Sequence, residues 1–170
     1  MPCRPSLSKA ALIARHRLGV GIAALGLLSA CTTEVPVVPA EPSSSAAAGA
    51  CADLVAALPP TLSGEERRAT DPASPSTAAW GDPVITLRCG VARPVQLTPT
   101  SELVEVNGVE WLPVELTEGY RFVTVGRVTY VELDVPNAYA PEVNALVDLA
   151  APVAEEVPLS EGPGVEPSPS

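Results

Sequence analysis

Histidine, lysine and methionine occur once each in this chain of 170 residues, as His16, Lys9 and Met1. Beyond residue 16, therefore, no histidine is present for a Ser-His-Asp or Cys-His nucleophile. No lysine is left to form a Schiff base, join a Ser-Lys dyad or complete a Walker loop. No GxGxxG occurs anywhere, so a dinucleotide pocket has no signature here. Basic residues are scarce as a class, ten against 20 acids. Four of the ten (Arg4, Lys9, Arg15, Arg17) precede residue 18, and every acid follows residue 31. From Cys31 onward six arginines face 20 acids, a net charge of −14. That excludes nucleic acid, whose phosphates need a basic footprint. It also argues against docking on anionic lipid by charge. The surviving chemistries are carboxylate catalysis, a hydroxyl without its usual base, and oxygen-ligand metal binding. The sequence calls for no cofactor and no metal residue of its own.

What is present begins with an address. Residues 1–17, MPCRPSLSKAALIARHR, are basic, and residues 18–30, LGVGIAALGLLSA, are apolar and small. That order is a secretory signal peptide, and its apolar part is shorter than the ~20 residues needed to span a bilayer. The end, Leu28-Ser29-Ala30-Cys31, resembles the bacterial lipobox, in which the cysteine receives a diacylglyceryl group and becomes the first mature residue. Each buried methylene contributes about 0.8 kcal/mol, so several palmitate-class chains on one cysteine anchor stably where one is marginal. The implied place is the extracytoplasmic face of the cell membrane, with the protein held there by its lipid.

Cys3 leaves with the signal and Cys31 is lipidated, which leaves Cys51 and Cys89. Thiols outside the membrane oxidise, so the two are expected as a disulfide. By chain entropy, closing a loop of about 38 residues stabilises by roughly 4 kcal/mol. The other reading, a metal thiolate pair, lacks a histidine or third thiol to complete a tetrahedron.

Residues 31–50 carry the lipidated cysteine and a Pro/Ser/Ala stretch without apolar periodicity, read as a tether. It would reach about 60 Å as polyproline II and nearer 25 Å as a coil. Residues 158–170 read as a disordered tail. The folded part, residues 51–157, holds all six aromatics, Trp80, Trp111, Tyr120, Phe122, Tyr130 and Tyr139. It opens with a short helix ended by Pro59 and Pro60. Residues 61–79 follow as a long loop with one turn near Glu65 to Ala69. A strand is expected over 84–89, after a turn at Gly81-Asp82-Pro83.

Asn107-Gly108 between alternating runs is a two-residue hairpin signal. It pairs Val106 with Val109, Val104 with Trp111 and Glu105 with Glu110, with Leu103 facing Leu112. Gly126-Arg127 predicts a second hairpin pairing Thr124 with Thr129, Phe122 with Val131, Tyr120 with Leu133 and Arg121 with Glu132. Residues 138–157 place Val143, Leu146, Val147, Ala150, Val153 and Val157 on one helical face. Pro141 suits the first turn, and Pro152 is expected to kink or end the helix. The fold class is α+β: an antiparallel sheet of about five strands, covered on one face by two helices.

Among candidate sites, Glu105 opposite Glu110 stands out, since like charges directly opposite destabilise a sheet. The pair would suit acid–base work or a cation, or be a plain solvated face. Trp80 and Trp111 are read as core rather than a ligand platform, and Asp82 as a turn residue. Arg67-Arg68, the only basic pair after Cys31, is read as a solvated loop pair that could grip an anion.

"WGDPVITLRCG" (80–90), "NGVEW" (107–111) and "TVGRVTYVELDVP" (124–136) resemble an actinobacterial family catalogued as domain of unknown function 3515, over roughly residues 51–155. The resemblance implies secreted or lipidated envelope proteins and no assigned activity, so it carries no catalytic residue to any position here. The expected function is a membrane-anchored, non-enzymatic binding or accessory module, with an envelope protein or wall component as partner. The alternative is a carboxylate-dependent hydrolase on wall glycan, with two acids about 5–9.5 Å apart in a cleft; calcium binding by the acidic surface is a weaker third.

Overall fold

Alanine is the strongest helix former, and it fills the stretch before Cys51. The computed structural model describes residues 33–160; the expected signal peptide and Cys31 lie outside them. Ten strands follow in chain order: β1 (Val35–Pro36), β2 (Thr61–Leu62), β3 (Glu65–Arg68), β4 (Thr70–Asp71), β5 (Thr77–Trp80), β6 (Ile85–Val91), β7 (Val104–Val106), β8 (Val109–Leu116), β9 (Gly119–Thr124) and β10 (Tyr130–Pro136). Two α-helices, α1 (Ser45–Ala57) and α2 (Ala145–Glu156), complete the fold, with 3-10 turns at Asn137–Tyr139 and Glu142–Asn144.

Helix α1 starts six residues before the expected edge of the domain. Ser44 caps it, its hydroxyl accepting the Ala47 N–H at 3.1 Å. Ala47, Cys51 and Leu54 fall on one face and are buried. Upstream, β1 pairs in parallel with β4. Val35 and Val37 are each only 5% exposed and pack with Ala79. The stretch expected as a tether is thus part of the fold from Thr33, because its two valines find an apolar floor. At the other end Pro158 and Ser160, expected in the tail, bond back to the chain: Val128 N donates to Pro158 O and Ser160 N to Gly126 O, both at 2.9 Å.

The main sheet has eight strands, ordered β2-β3-β5-β6-β10-β9-β8-β7, every neighbouring pair antiparallel. The expectation of about five strands falls short by β2, β3 and β5, all from the stretch read as a loop. Ser63 and Gly64, with φ of 52° and 82°, turn β2 into β3. Strand β5 is buried at all four positions, and burial against β3 and β6 overrides its lack of alternation. Leu54, Leu146, Leu149 and Val153 from the helices, with Leu58 just past α1, pack with Trp80, Ile85, Leu87, Trp111, Phe122 and Leu133 from the sheet. The Cys51–Cys89 disulfide ties α1 to the central strand β6, its Cα atoms 5.4 Å apart.

The first hairpin has the expected register, with Val106↔Val109, Glu105↔Glu110 and Val104↔Trp111. Pairing stops at Val104, so Leu103 and Leu112 are not cross-strand partners. The second hairpin is displaced by two residues: Phe122 pairs with Leu133 and Arg121 with Asp134. A shift of two keeps every side chain on its face. The connection widens because Arg127 turns inward to α2 and the Thr124 hydroxyl accepts the Val131 N–H at 2.9 Å. In α2, Leu149 rather than Val147 is buried, and Val147 is 55% exposed. Pro152 lies inside the helix, which runs on to Glu156.

Candidate functional site

Glu105 and Glu110 are directly opposite, as their spacing requires, and both are exposed. Glu105 also serves its own hairpin: its Oε1 accepts the Gly108 N–H at 3.1 Å, bracing the Asn107-Gly108 turn. Among the described residues no three His, Cys, Asp or Glu side chains converge to hold a metal ion, so the calcium option has no ligand cluster.

Both tryptophans are core. Trp80 is fully buried, its indole N–H donating to Pro59 O at 3.2 Å with the Arg67 guanidinium 5.8 Å from its ring centroid. Trp111 is equally buried, and its indole N–H makes no hydrogen bond among the described residues. The arginine pair is a strand pair and not a solvated loop. Arg67 Nη2 donates to Val55 O at 3.0 Å, while Arg68 donates to Gly81 O and Thr33 O, each at 2.9 Å. Their donors serve backbone carbonyls, which corrects the anion-gripping reading.

Asp82 is exposed in the turn after β5. Beside it, Gly81 has a φ of +69°, and a Cβ there would stand 2.6 Å from the Tyr139 hydroxyl. That hydroxyl donates to Pro83 O. Burial, with Glu65 and Asp82 adding negative potential, pushes its pKa above the ordinary value. Only glycine fits the close approach, which is the physical content of the Trp-Gly-Asp-Pro segment.

Three features were not foreseen. Glu132, 8% exposed at its side chain, lies between Arg88 and Arg121; Arg121 also grips Asp134 through two bonds of 2.7 Å. Asp134 raises the Arg121 pKa above its ordinary value through those bonds. Arg127, 8% exposed, donates to Val157 O at 2.6 Å, to Val153 O at 3.3 Å and to Gly108 O at 3.3 Å. It binds the end of α2 to the β7–β8 turn, and the helix C-terminus welcomes its charge.

The third is a hollow of about 280 Å³ lined by Val104, Pro113, Tyr120, Phe122, Pro141 and Val143, with Glu142 at its side. Tyr120 and Phe122 share one face of β9 and lie stacked, centroids 6.0 Å apart. Alternation along β9 placed both rings on one side, but only the β8–β9 register and the course of the chain after β10 bring the two prolines beside them.

Comparison with curated proteins found no match, and neither did comparison with solved structures. A family model matches residues 16–161, which takes in every described residue, and the chain belongs to that family, the proteins of unknown function designated DUF3515.

Proposed function

We propose that the chain is a lipoprotein of an actinobacterial envelope, acylated at Cys31 and held at the extracytoplasmic face of the membrane. Its domain is a non-enzymatic binding module for an envelope protein or a wall component. The order and length of the basic, apolar and Leu28-Ser29-Ala30-Cys31 segments support the anchor.

The observation that carries the binding part is the Tyr120–Phe122 hollow. One side comes from strands β7, β8 and β9 and the other from Pro141 to Val143 after β10, and its size suits one side chain or ring, below the range of whole small-molecule pockets. Its rim is acidic: Glu142 lines it, and Glu115 pairs across the sheet with Tyr120. Aromatic faces beside carboxylates favour an apolar or ring group next to a positive charge. Crosslinking in native membranes, from a photoreactive side chain at Tyr120, tests this by mass spectrometry. One abundant adduct, weakened by Glu142→Lys, is the expected result. Labelling no greater than from Glu110 would overturn the site. For the anchor, Cys31→Ala is expected to abolish acyl labelling; unchanged labelling would overturn it.

A further inference from the structure

We infer that the domain does not stand off the bilayer: the corner formed by Thr33, Arg68, Ala69 and Asp82 rests on the lipid headgroups. The inference rests on the acylation of Cys31 proposed above.

The chain is pinned almost as soon as it leaves that cysteine. Arg68 holds Thr33 O at 2.9 Å and, with its other nitrogen, Gly81 O. Val35 N donates to Ala69 O at 2.9 Å and Val37 N to Asp71 O at 3.1 Å. Val35 is the first buried side chain, packed with Ala79 on the sheet face away from the helices. Four residue steps lie between Cys31 and Val35, about 14 Å of fully extended chain. The headgroup layer takes up roughly 5–8 Å of that, from the difference between whole bilayer and hydrocarbon thickness. What remains is less than the ~10–12 Å width of one helix. A free tether over all of residues 31–50 would have reached about 60 Å.

Charge does not create this contact. Glu34, Glu66, Asp71 and Asp82 are exposed near the corner, and Arg68 spends its donors on carbonyls. Anionic headgroups repel such a surface, so the covalent strap alone supplies the proximity, on lipids of no net charge. One consequence is orientation. Strand β8 lies five strand spacings from β3, about 24 Å across the sheet. The Tyr120–Phe122 hollow, on β8 and β9, then lies four to five strand spacings from that corner, at the part of the sheet remote from it.

The test uses the full acylated chain in phosphatidylcholine vesicles doped with a headgroup-quencher lipid. A fluorophore is placed through Ala69→Cys, through Asp82→Cys, or, as the distant control, through Glu110→Cys. Quenching several-fold stronger for the first two than for the control is expected, with the difference lost when ten Gly/Ser residues are inserted after Thr32. Equal quenching at all three positions, in protein whose intact mass carries the acyl chains, overturns the inference and leaves the anchor standing. An intact mass without acyl chains overturns the anchor and the inference together. Resistance of Cys51 and Cys89 to alkylation confirms that each labelled variant is folded.

Discussion

A single buried arginine does the work of a helix cap. Helix ends leave carbonyls without intrahelical donors; Arg127 supplies one to Val157 O and a second to Val153 O, which also accepts the Val157 N–H at 3.1 Å. Arg127→Ala removes the donor to Val157 O and Gly108 O and the second bond to Val153 O, at a cost of about 2–4 kcal/mol. Arg127→Lys is expected to restore little, since one ammonium lacks the planar fork that spans helix and turn. Urea unfolding midpoints check both. Tyr139 permits a test against pH. Its folded pKa is raised, so the neutral hydroxyl is the form the fold holds. That contribution is complete below the unfolded value near 10 and is lost as pH rises through the folded value. Tyr139→Phe is expected to cost about 1 kcal/mol at neutral pH, the worth of the bond to Pro83 O. The gap between wild type and variant then narrows above pH ~10. A gap of constant width across that range would mean the hydroxyl is not the ionising group.

Among the elements, α1 and β6 depend most on a covalent tie. The disulfide spans 38 residues that include α1's end, β2, β3, β4 and β5. Replacing both Cys51 and Cys89 by Ala is expected to remove up to about 4 kcal/mol, seen as a lower urea midpoint that reductant no longer changes. An unaltered midpoint would show that helix packing alone fixes α1. How far each element was legible follows its range of interaction. Hairpin β7–β8 was legible because Asn107-Gly108 and the alternation around it are local. Hairpin β9–β10 was legible in its faces but not in its register, because Arg127 answers to α2, 26 residues downstream. The Glu65–Arg68 strand was hidden by four consecutive charges; its Arg67 finds an apolar face only in Trp80, 13 residues on. Ser63-Gly64 was the local cue to that hairpin. Pro113 also makes sense only in the sheet. By alternation its missing N–H faces the side where β7 has already ended, so no ladder bond is lost and the edge is blunted. The hollow was illegible for the same reason: its prolines and aromatics meet only through register.

For the molecule as a whole, the question is which electrostatic effect dominates. From Cys31 onward the net charge is −14, and self-repulsion at that charge destabilises a compact state. Opposing it are the contacts Arg88–Glu132, Arg121–Glu132 and Arg121–Asp134. Partly exposed pairs contribute only ~0–1 kcal/mol each, and the enclosure of Glu132 shields its pairs from salt. The repulsion is spread over exposed acids and is screened readily. Raising salt from about 0.02 M to about 0.5 M is therefore expected to stabilise the domain. The melting temperature should rise by roughly 3–8 °C if screening recovers on the order of 1–2 kcal/mol. Glu110→Gln gives the local version of the same argument. It relieves the directly opposed Glu105–Glu110 pair and leaves the Glu105 bond to Gly108 N in place. The variant should melt higher than wild type at low salt and gain less from added salt. A melting temperature that falls as salt is added would reverse the ranking: the Arg88–Glu132–Arg121–Asp134 network, and not the acidic surface, would then dominate the electrostatics of folding.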